Sequence, residues 1–475
     1  MTQPVMTAVP PSLPRSVPLP IAQIEPEQPF VWRHGRWISG AEFTHHVMAL
    51  ATRLPQRPYI LNLCEDRYDF MVAFCAALAA GQSSLLPSGR ADSALRALLA
   101  RYPDSTTIAS HDCTFTAPDL IRLAPCFDPI SEPAPAQLPT VSGDHVAAIA
   151  FSSGSTGEPT EHAKTWAMLW YTGVEIAERF ALGRYGNPAT IVATVPPQHM
   201  FGLECSIVLP LAAGLALDAG RPLLPADVAA GVARTARDAW LVTTPLVLRA
   251  LDAEALAMPG LAGVVSATMP LDPALAERLD ARWQSPVREI YGCTEGGSLA
   301  SRRTRDGDIW TTLPGVRIAD AGTGAEVTGG HLPMTVPLAD IFEVRSPHCF
   351  RLLGRAAHIV KVAGRRTSIE ALNQALLALE GVDDGAFFAP NDDEDGRLMA
   401  FAVAPRVSSR QLIVALRDHI DAAFLPRPLY LVDAMPRNDL GKLTRAALGL
   451  LAAQCAGGNG GIGVDGTDGG QGDTQ

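Results

Sequence analysis

Several features that mark large functional classes are missing from this chain. Its eight cysteines never stand closer than the eleven residues between Cys64 and Cys75. No CxxC spacing for zinc or redox chemistry exists, and the cysteines read as buried thiols of a reducing compartment. Positive charge is scarce, since 38 Lys+Arg against 49 Asp+Glu leave a formal charge of −11. That balance opposes the phosphate neutralisation that dominates nucleic-acid binding, though a local basic groove remains open. The longest uncharged stretch, Phe70 to Gly89, is broken by Gly81, Gln82, two serines and Pro87. It reads as a core helix followed by a turn and a strand, not a membrane span. The N-terminus has prolines from Pro4 to Pro29 and no continuous apolar run, which argues against a secretory signal and for a cytoplasmic protein.

What is present suits a globular protein of two or three domains: 475 residues, 47% of them apolar and 18% charged. Residues 1–29 read as a Pro-rich lead-in lying along the surface of the first domain. Residues 455–475 carry many glycines and no Lys or Arg, and read as a disordered tail. Ser39-Gly40-Ala41-Glu42 is a capping-box signature ahead of the one-faced set Phe43, Val47, Leu50 and Leu54.

Short β-branched runs then alternate with helical patterns. His145–Phe151, Thr190–Val195, Trp240–Thr244, Gly263–Ser266 and Val287–Tyr291 are the predicted strands. The pattern is α/β, with parallel sheets whose carboxyl ends should carry the ligand site. Beyond about residue 354 the pattern changes to short strands with helices near Ile369–Leu379 and Ser408–Ala423. This predicts a large domain over 30–354 and a smaller α+β domain over 355–454.

The most distinctive segment is Ser152-Ser153-Gly154-Ser155-Thr156-Gly157, predicted to lie between an apolar strand and a helix bearing Trp166, Trp170 and Phe180. Glycines and small hydroxyls let backbone N–H groups approach a polyanion, so the segment reads as a triphosphate clasp. It is not a Walker loop, because no GxxxxGK[ST] is present. Alone, it is as well explained as an ordinary Ser/Gly surface loop.

The loop resembles the signature of the ATP-dependent adenylate-forming superfamily, and further segments follow in that family's order. They are Pro196-Pro197-Gln198-His199-Met200-Phe201-Gly202, Tyr291-Gly292-Cys293-Thr294-Glu295, Asp340, Gly354-Arg355, Lys361 to Arg366, and Gly441-Lys442-Leu443-Thr444-Arg445. The resemblance implies a large N-terminal domain of mixed and parallel sheets flanked by helices, with a small mobile α+β C-terminal domain.

It also implies roles. Ser152 to Gly157, Ser266, Ala267, Tyr291, Gly292, Thr294, Asp340 and Arg355 would hold ATP, with Tyr291 on adenine, Thr294 at the α-phosphate and Asp340 on the ribose. Glu295 would bind Mg²⁺. His199, Phe201, Thr244, Thr268, Gly292 and Pro314 would line the acid pocket, and His199 would border the reacting carboxylate. Lys442 would sit between carboxylate and α-phosphate, offsetting the repulsion of two anions. Gly364 and Arg366 would serve the thiol step after the small domain rotates.

Departures stand beside the matches. Pro159 is followed by Thr160 and Glu161 where relatives often carry a lysine, and Lys164 is the nearby candidate to replace it. Ala357 stands at the usual acidic hinge position, and Ala371 and Asn373 where glutamates are common. Lys164-Thr165-Trp166 with Gly364 to Ser368 looks most like a group associated with aryl polyene and xanthomonadin-type pathways, whose members load carrier proteins.

The expected function is ATP- and Mg²⁺-dependent activation of a carboxylic acid, an aromatic one such as a hydroxybenzoate favoured. The acyl group would pass to CoA or to the phosphopantetheine of an acyl carrier protein. A fatty-acyl synthetase, an adenylating enzyme with an oxygen or amine acceptor, and a degenerate nucleotide-binding member are the alternatives.

Overall fold

The computed structural model describes residues 16–87, 89–123, 137–153, 159–183, 189–235, 238–322, 324–355, 359–362, 365–390, 398–437 and 443–457. Two compact units emerge: Met1–Ala357 with Asp439–Gly441, and His358–Asn438 with Lys442–Gln475.

In the first unit, a six-stranded sheet runs Pro159–Thr165, Val146–Ser153, Ser83–Leu86, Tyr59–Asn62, Ser105–Ser110, Leu120–Leu123 across its width. Every neighbouring pair is parallel except the first. Its inner strands Ser83–Leu86, Tyr59–Asn62 and Ser105–Ser110 are short and almost wholly buried, as expected of a sheet covered on both faces. The Arg67–Ala79 helix is buried nearly all round, which is why its sequence shows no amphipathic face. It and the strand Ser83–Leu86 are the helix and strand expected within Phe70–Gly89.

An eleven-stranded sheet forms the second layer. Its centre sets Val287–Cys293, Leu261–Ser266, Ala239–Thr243, Thr190–Ala193 and Ala216–Asp218 parallel and side by side. The strand Gly297–Arg303 joins antiparallel to Val287–Cys293. All five predicted strands form, each within two residues of its expected ends.

The Ser39 cap also forms as a reciprocal pair, Ser39 Oγ accepting from the Glu42 N–H at 3.2 Å while the Ser39 N–H donates to Glu42 at 2.9 Å. The sheets are sealed by a core that includes Phe30, Phe43, Phe70, Phe74, Trp166 and Phe350. Each such ring contributes about 1.5–3 kcal/mol on burial.

Two expectations fail here. The lead-in does not lie wholly on the surface: Leu19 and Ile21 are in the core, while its other described residues are half-buried or exposed. Pro18–Pro20 pairs with Thr140–Ser142, and the Trp166 indole donates to the Pro20 carbonyl at 3.1 Å. Prolines permit this because the Pro18–Pro20 strand has a single partner and so needs few ladder donors. The Ser/Gly segment does not lead into a helix. Pro159–Thr165 returns antiparallel to Val146–Ser153, and the helix begins only at Trp166, capped by the Thr165 hydroxyl.

The second unit holds a three-stranded sheet, Asp384–Phe388, Met399–Val403 and Leu429–Leu431, the first pair antiparallel and the second parallel. Helices Ile369–Leu377 and Ser409–Leu416 pack on a core including Leu372, Leu376, Phe387, Leu412 and Leu416. The second helix stops seven residues before the expected Ala423. No described helix is long and apolar enough to cross a membrane.

Candidate active site

Parallel strands in register bring their following residues to one edge. Ser266 lies between Thr243 and Glu289 of its neighbours, and Thr194 bonds Thr243 hydroxyl to hydroxyl at 2.9 Å. The segments after these strands therefore share one rim: His199–Phe201, Thr244, Ala267–Thr268 and Gly292–Glu295. The Met200–Leu203 helix packs against the Gly297–Arg303 strand, carrying the His199 segment to the same place.

Each rim residue has a local cause for its position. Arg67, buried, donates to the carbonyls of Ala193 at 2.9 Å and Val195 at 2.8 Å and to the Ser206 hydroxyl, fixing the chain before Pro196. His199 is the N-cap of the short helix, and Phe201 packs half-buried against the main core. Residues Glu204–Val208 continue as a π-helical turn, a feature that favours functional sites. Thr244 caps the Pro245–Ala253 helix, accepting from the Val247 N–H at 3.5 Å. Thr268 has φ +82, a costly conformation for a β-branched residue and one found at ligand sites. Pro314 is half-buried at the turn before Val316.

Tyr291 is enclosed by the edges of Trp310, Phe342 and Phe350, with ring centroids 5.8–5.9 Å away. Its hydroxyl donates to Asp340 at 2.6 Å. Asp340 lies opposite Arg355 in the antiparallel pair of strands. Tyr291 and Asp340, both proposed for the nucleoside, thus meet, although 49 positions separate them in sequence. Ser266 and Ala267 are buried, Thr294 is half-buried, and Gly292 and Glu295 are exposed.

Glu295 is cradled by the Pro159–Thr165 strand. His162 lies 3.9 Å from the carboxylate, and the Lys164 ammonium donates to the Glu295 carbonyl at 2.6 Å. Burial lowers the pKa of both His162 and Lys164. Lys164 is only 1% exposed, so it is committed to the turn and is not a free replacement for a phosphate-loop lysine. Burial also pushes the Cys293 thiol up to about 12, which makes it a poor nucleophile.

The described residues hold no cluster of three or more His, Cys, Asp or Glu that could bind a metal unaided. One half-exposed carboxylate, Glu295, fits a Mg²⁺ that arrives on phosphate oxygens, since such ions need only one or two protein ligands.

Gly154, Ser155, Thr156, Gly157, Gly364 and Lys442 lie outside the described residues, as do the side chains of Ser152, Ser153, Arg355 and Arg366. Ser152 and Ser153 close the strand opposite Thr160 and Pro159. The ends of the Lys442 loop are pinned: Arg437 pairs with Leu443 in a β-bridge and grips Asp384 with two bonds of 2.6 Å.

The sequence reading missed His162, Glu175, Glu204, Ser298 and His331. One signal was available: a lone carboxylate, Glu204, sits in the apolar run from Phe201 to Leu211.

A model of the AMP-binding enzyme family matches residues 21–332. Among curated proteins, 4-coumarate–CoA ligase of Halorhodospira halophila is 28% identical over 315 residues, 65% of this chain and 78% of that one. The 4-coumarate–CoA ligase of Rhodobacter capsulatus is 30% identical over 296 residues, covering 61% and 73%. Among solved structures, the anthranilate CoA ligase AuaEII in complex with anthranoyl-AMP superposes with a TM-score of 0.75 at 15% identity, covering 92% of this chain and 99% of that one. That likeness is one of fold.

Proposed function

Because the chain belongs to the AMP-binding enzyme family, and is an AMP-forming acid–thiol ligase that uses ATP, we propose that its acid is aromatic, a hydroxybenzoate favoured. The acyl group would pass to the phosphopantetheine thiol of a carrier protein or to CoA. The observation that carries this reading is the convergence, on one rim, of the Tyr291–Asp340 pair, Glu295 and the His199–Phe201 segment. The aromatic acid in the names of both 4-coumarate ligases supports the choice of substrate. No Lys, Arg, Asp or Glu is found among Phe201, Thr244, Thr268, Gly292 and Pro314, which disfavours an amino acid.

In the first half-reaction the carboxylate attacks the α-phosphorus of ATP, giving acyl-AMP and pyrophosphate. Tyr291 and Asp340 would hold adenine and ribose, and Thr294 and the Ser152–Gly157 segment the phosphates. Glu295 would ligate Mg²⁺, whose chemistry is neutralisation of phosphate charge. His199 and Phe201 would border the acid. Lys442 would screen the two anions as they meet, so that catalysis is mainly positioning and electrostatics. The thiol then attacks the acyl-AMP carbonyl and AMP leaves, with Gly364 and Arg366 flanking the thiol's path.

The test is incubation with ATP, Mg²⁺ and 4-hydroxybenzoate in the presence of CoA or a phosphopantetheinylated carrier protein, with thioesters detected by mass spectrometry. An aryl thioester on either acceptor is expected. Thioesters formed only from fatty acids would overturn the aromatic assignment.

A further inference from the structure

Three ionisable side chains from separate parts of the fold bond to residues 295–298, the end of a turn and the start of the Gly297–Arg303 strand, and a fourth holds one of the three. Lys164, on the Pro159–Thr165 strand, donates to the Glu295 carbonyl at 2.6 Å. His331, beyond the Ala325–Gly329 strand, has Nε2 2.9 Å from the Gly296 carbonyl and Nδ1 2.7 Å from Glu175 on the Trp166–Phe180 helix. Glu204, in the π-helical turn, accepts from the Ser298 N–H at 3.0 Å and its hydroxyl at 2.6 Å. A Cβ on Gly297, whose φ is +73, would fall 2.3 Å from the Glu204 carboxylate.

None of the four side chains is reachable by a ligand, each being 4% exposed or less. Buried charges are expensive unless paired, and hydrophobic replacements would stabilise such a core at least as well. Here Glu175 pairs with His331, and burial raises the Glu204 pKa, against which Ser298, His331 and Lys164 favour its charged form. A carbonyl only accepts, so His331 Nε2 carries a proton, and Nδ1 shares a hydrogen bond with the Glu175 carboxyl group. Burial alone would lower the His331 pKa, but Glu175 and the Gly296 carbonyl raise it above the ordinary value.

We propose that Lys164, Glu204 and the Glu175–His331 pair are positioning residues, which clamp the 295–298 turn so that the exposed Glu295 carboxylate is held ready at the strand end. The assignment rests on the functional reading of Glu295. Such outer partners orient a ligand that touches the reacting groups and have no contact with substrate themselves.

The test uses the full chain, without ligand and then with ATP. Lys164→Met alone strands a buried carboxylate, so it is paired with Lys164→Met/Glu204→Gln, which removes both charges and keeps an acceptor for Ser298. Amide hydrogen exchange of the peptide spanning 295–298 should speed up roughly tenfold in the double variant, with the Arg67–Ala79 helix unchanged. The Mg²⁺ concentration for half-maximal turnover should rise roughly tenfold, while the KM for the acid stays put. Unchanged exchange at 295–298 would overturn the proposal, as would faster exchange with wild-type Mg²⁺ dependence. A raised KM for ATP at saturating Mg²⁺ with unchanged exchange would make Lys164 a phosphate ligand instead. Should the wild type turn over no acid, the reading of Glu295 falls, and the exchange comparison still decides whether the clamp exists.

Discussion

Gly202→Ala probes the rim with a single methyl group. A Cβ at Gly202 would lie 1.9 Å from the Pro196 carbonyl oxygen, 2.8 Å from its carbon and 3.4 Å from the Pro197 Cα. All three atoms are backbone, and two successive prolines fix φ there. The strand before them is tied by Arg67 to the Ala193 and Val195 carbonyls, and the helix after by Ser206, whose hydroxyl donates to the Gly202 carbonyl at 2.5 Å. Neither side can yield freely, so the contact must open by about 1.1 Å merely to reach 3.0 Å. Overpacking of this kind costs about 1–3 kcal/mol, a few degrees in the melting temperature of a unit this large. The functional loss should be greater, because His199 and Phe201 lie within this wedge and a displacement of about 1 Å can cost roughly 100-fold in rate. Acid-dependent turnover should fall by that order, with far-ultraviolet circular dichroism unchanged. Gly89→Ala, with nothing within 4 Å, is the control. Wild-type turnover in a folded Gly202→Ala protein would refute the placement of this segment at the site.

Other perturbations test other parts. Tyr291→Phe removes the 2.6 Å bond to Asp340 and should raise the KM for ATP roughly tenfold, about 1.4 kcal/mol, with kcat nearly constant in steady-state assays. Asp384→Ala unseats Arg437 from the base of the Lys442 loop. Acyl-AMP formation in a single turnover should slow at least several-fold, while transfer from pre-formed acyl-AMP is spared. His46, bonded to the Tyr68 hydroxyl at 2.6 Å, is held down to about 4 by burial, against 6.5 when unfolded. The unfolded state therefore binds a proton that the folded state refuses, so stability is lost as pH falls from 6.5 to 4. Urea melts of His46→Gln should show a shallower loss over that window. Asp69, raised to about 7 by burial, acts in the opposite direction in both proteins and cancels in the comparison.

What could be read from the sequence was local. The Ser39–Glu42 cap depends on four consecutive residues and forms as expected. The central strands announce themselves by β-branched runs, because a strand buried on both faces must be apolar throughout. The strand after the Ser/Gly loop was missed because Pro159–Thr165 is polar and short, and its alternation of His162 and Lys164 on one face was not weighed as a strand signal. The lead-in was misjudged because proline content says little about burial when a strand needs only one partner. Long-range pairing was out of reach altogether: Lys164 and Glu295 are 131 residues apart, and Glu175 and His331 are 156. The proposed nucleotide and acid residues rest on resemblance to a family, and the charges beneath them emerge only in three dimensions.

The central claim is that this rim adenylates a carboxylic acid. Carboxylate-dependent exchange of labelled pyrophosphate into ATP measures that step alone, without a thiol, across benzoates, cinnamates, fatty acids and amino acids. Exchange is predicted with Mg²⁺ and an aromatic acid, and its loss in Glu295→Gln and Lys442→Ala. Absence of exchange with every acid, or wild-type exchange in Lys442→Ala, would contradict the account.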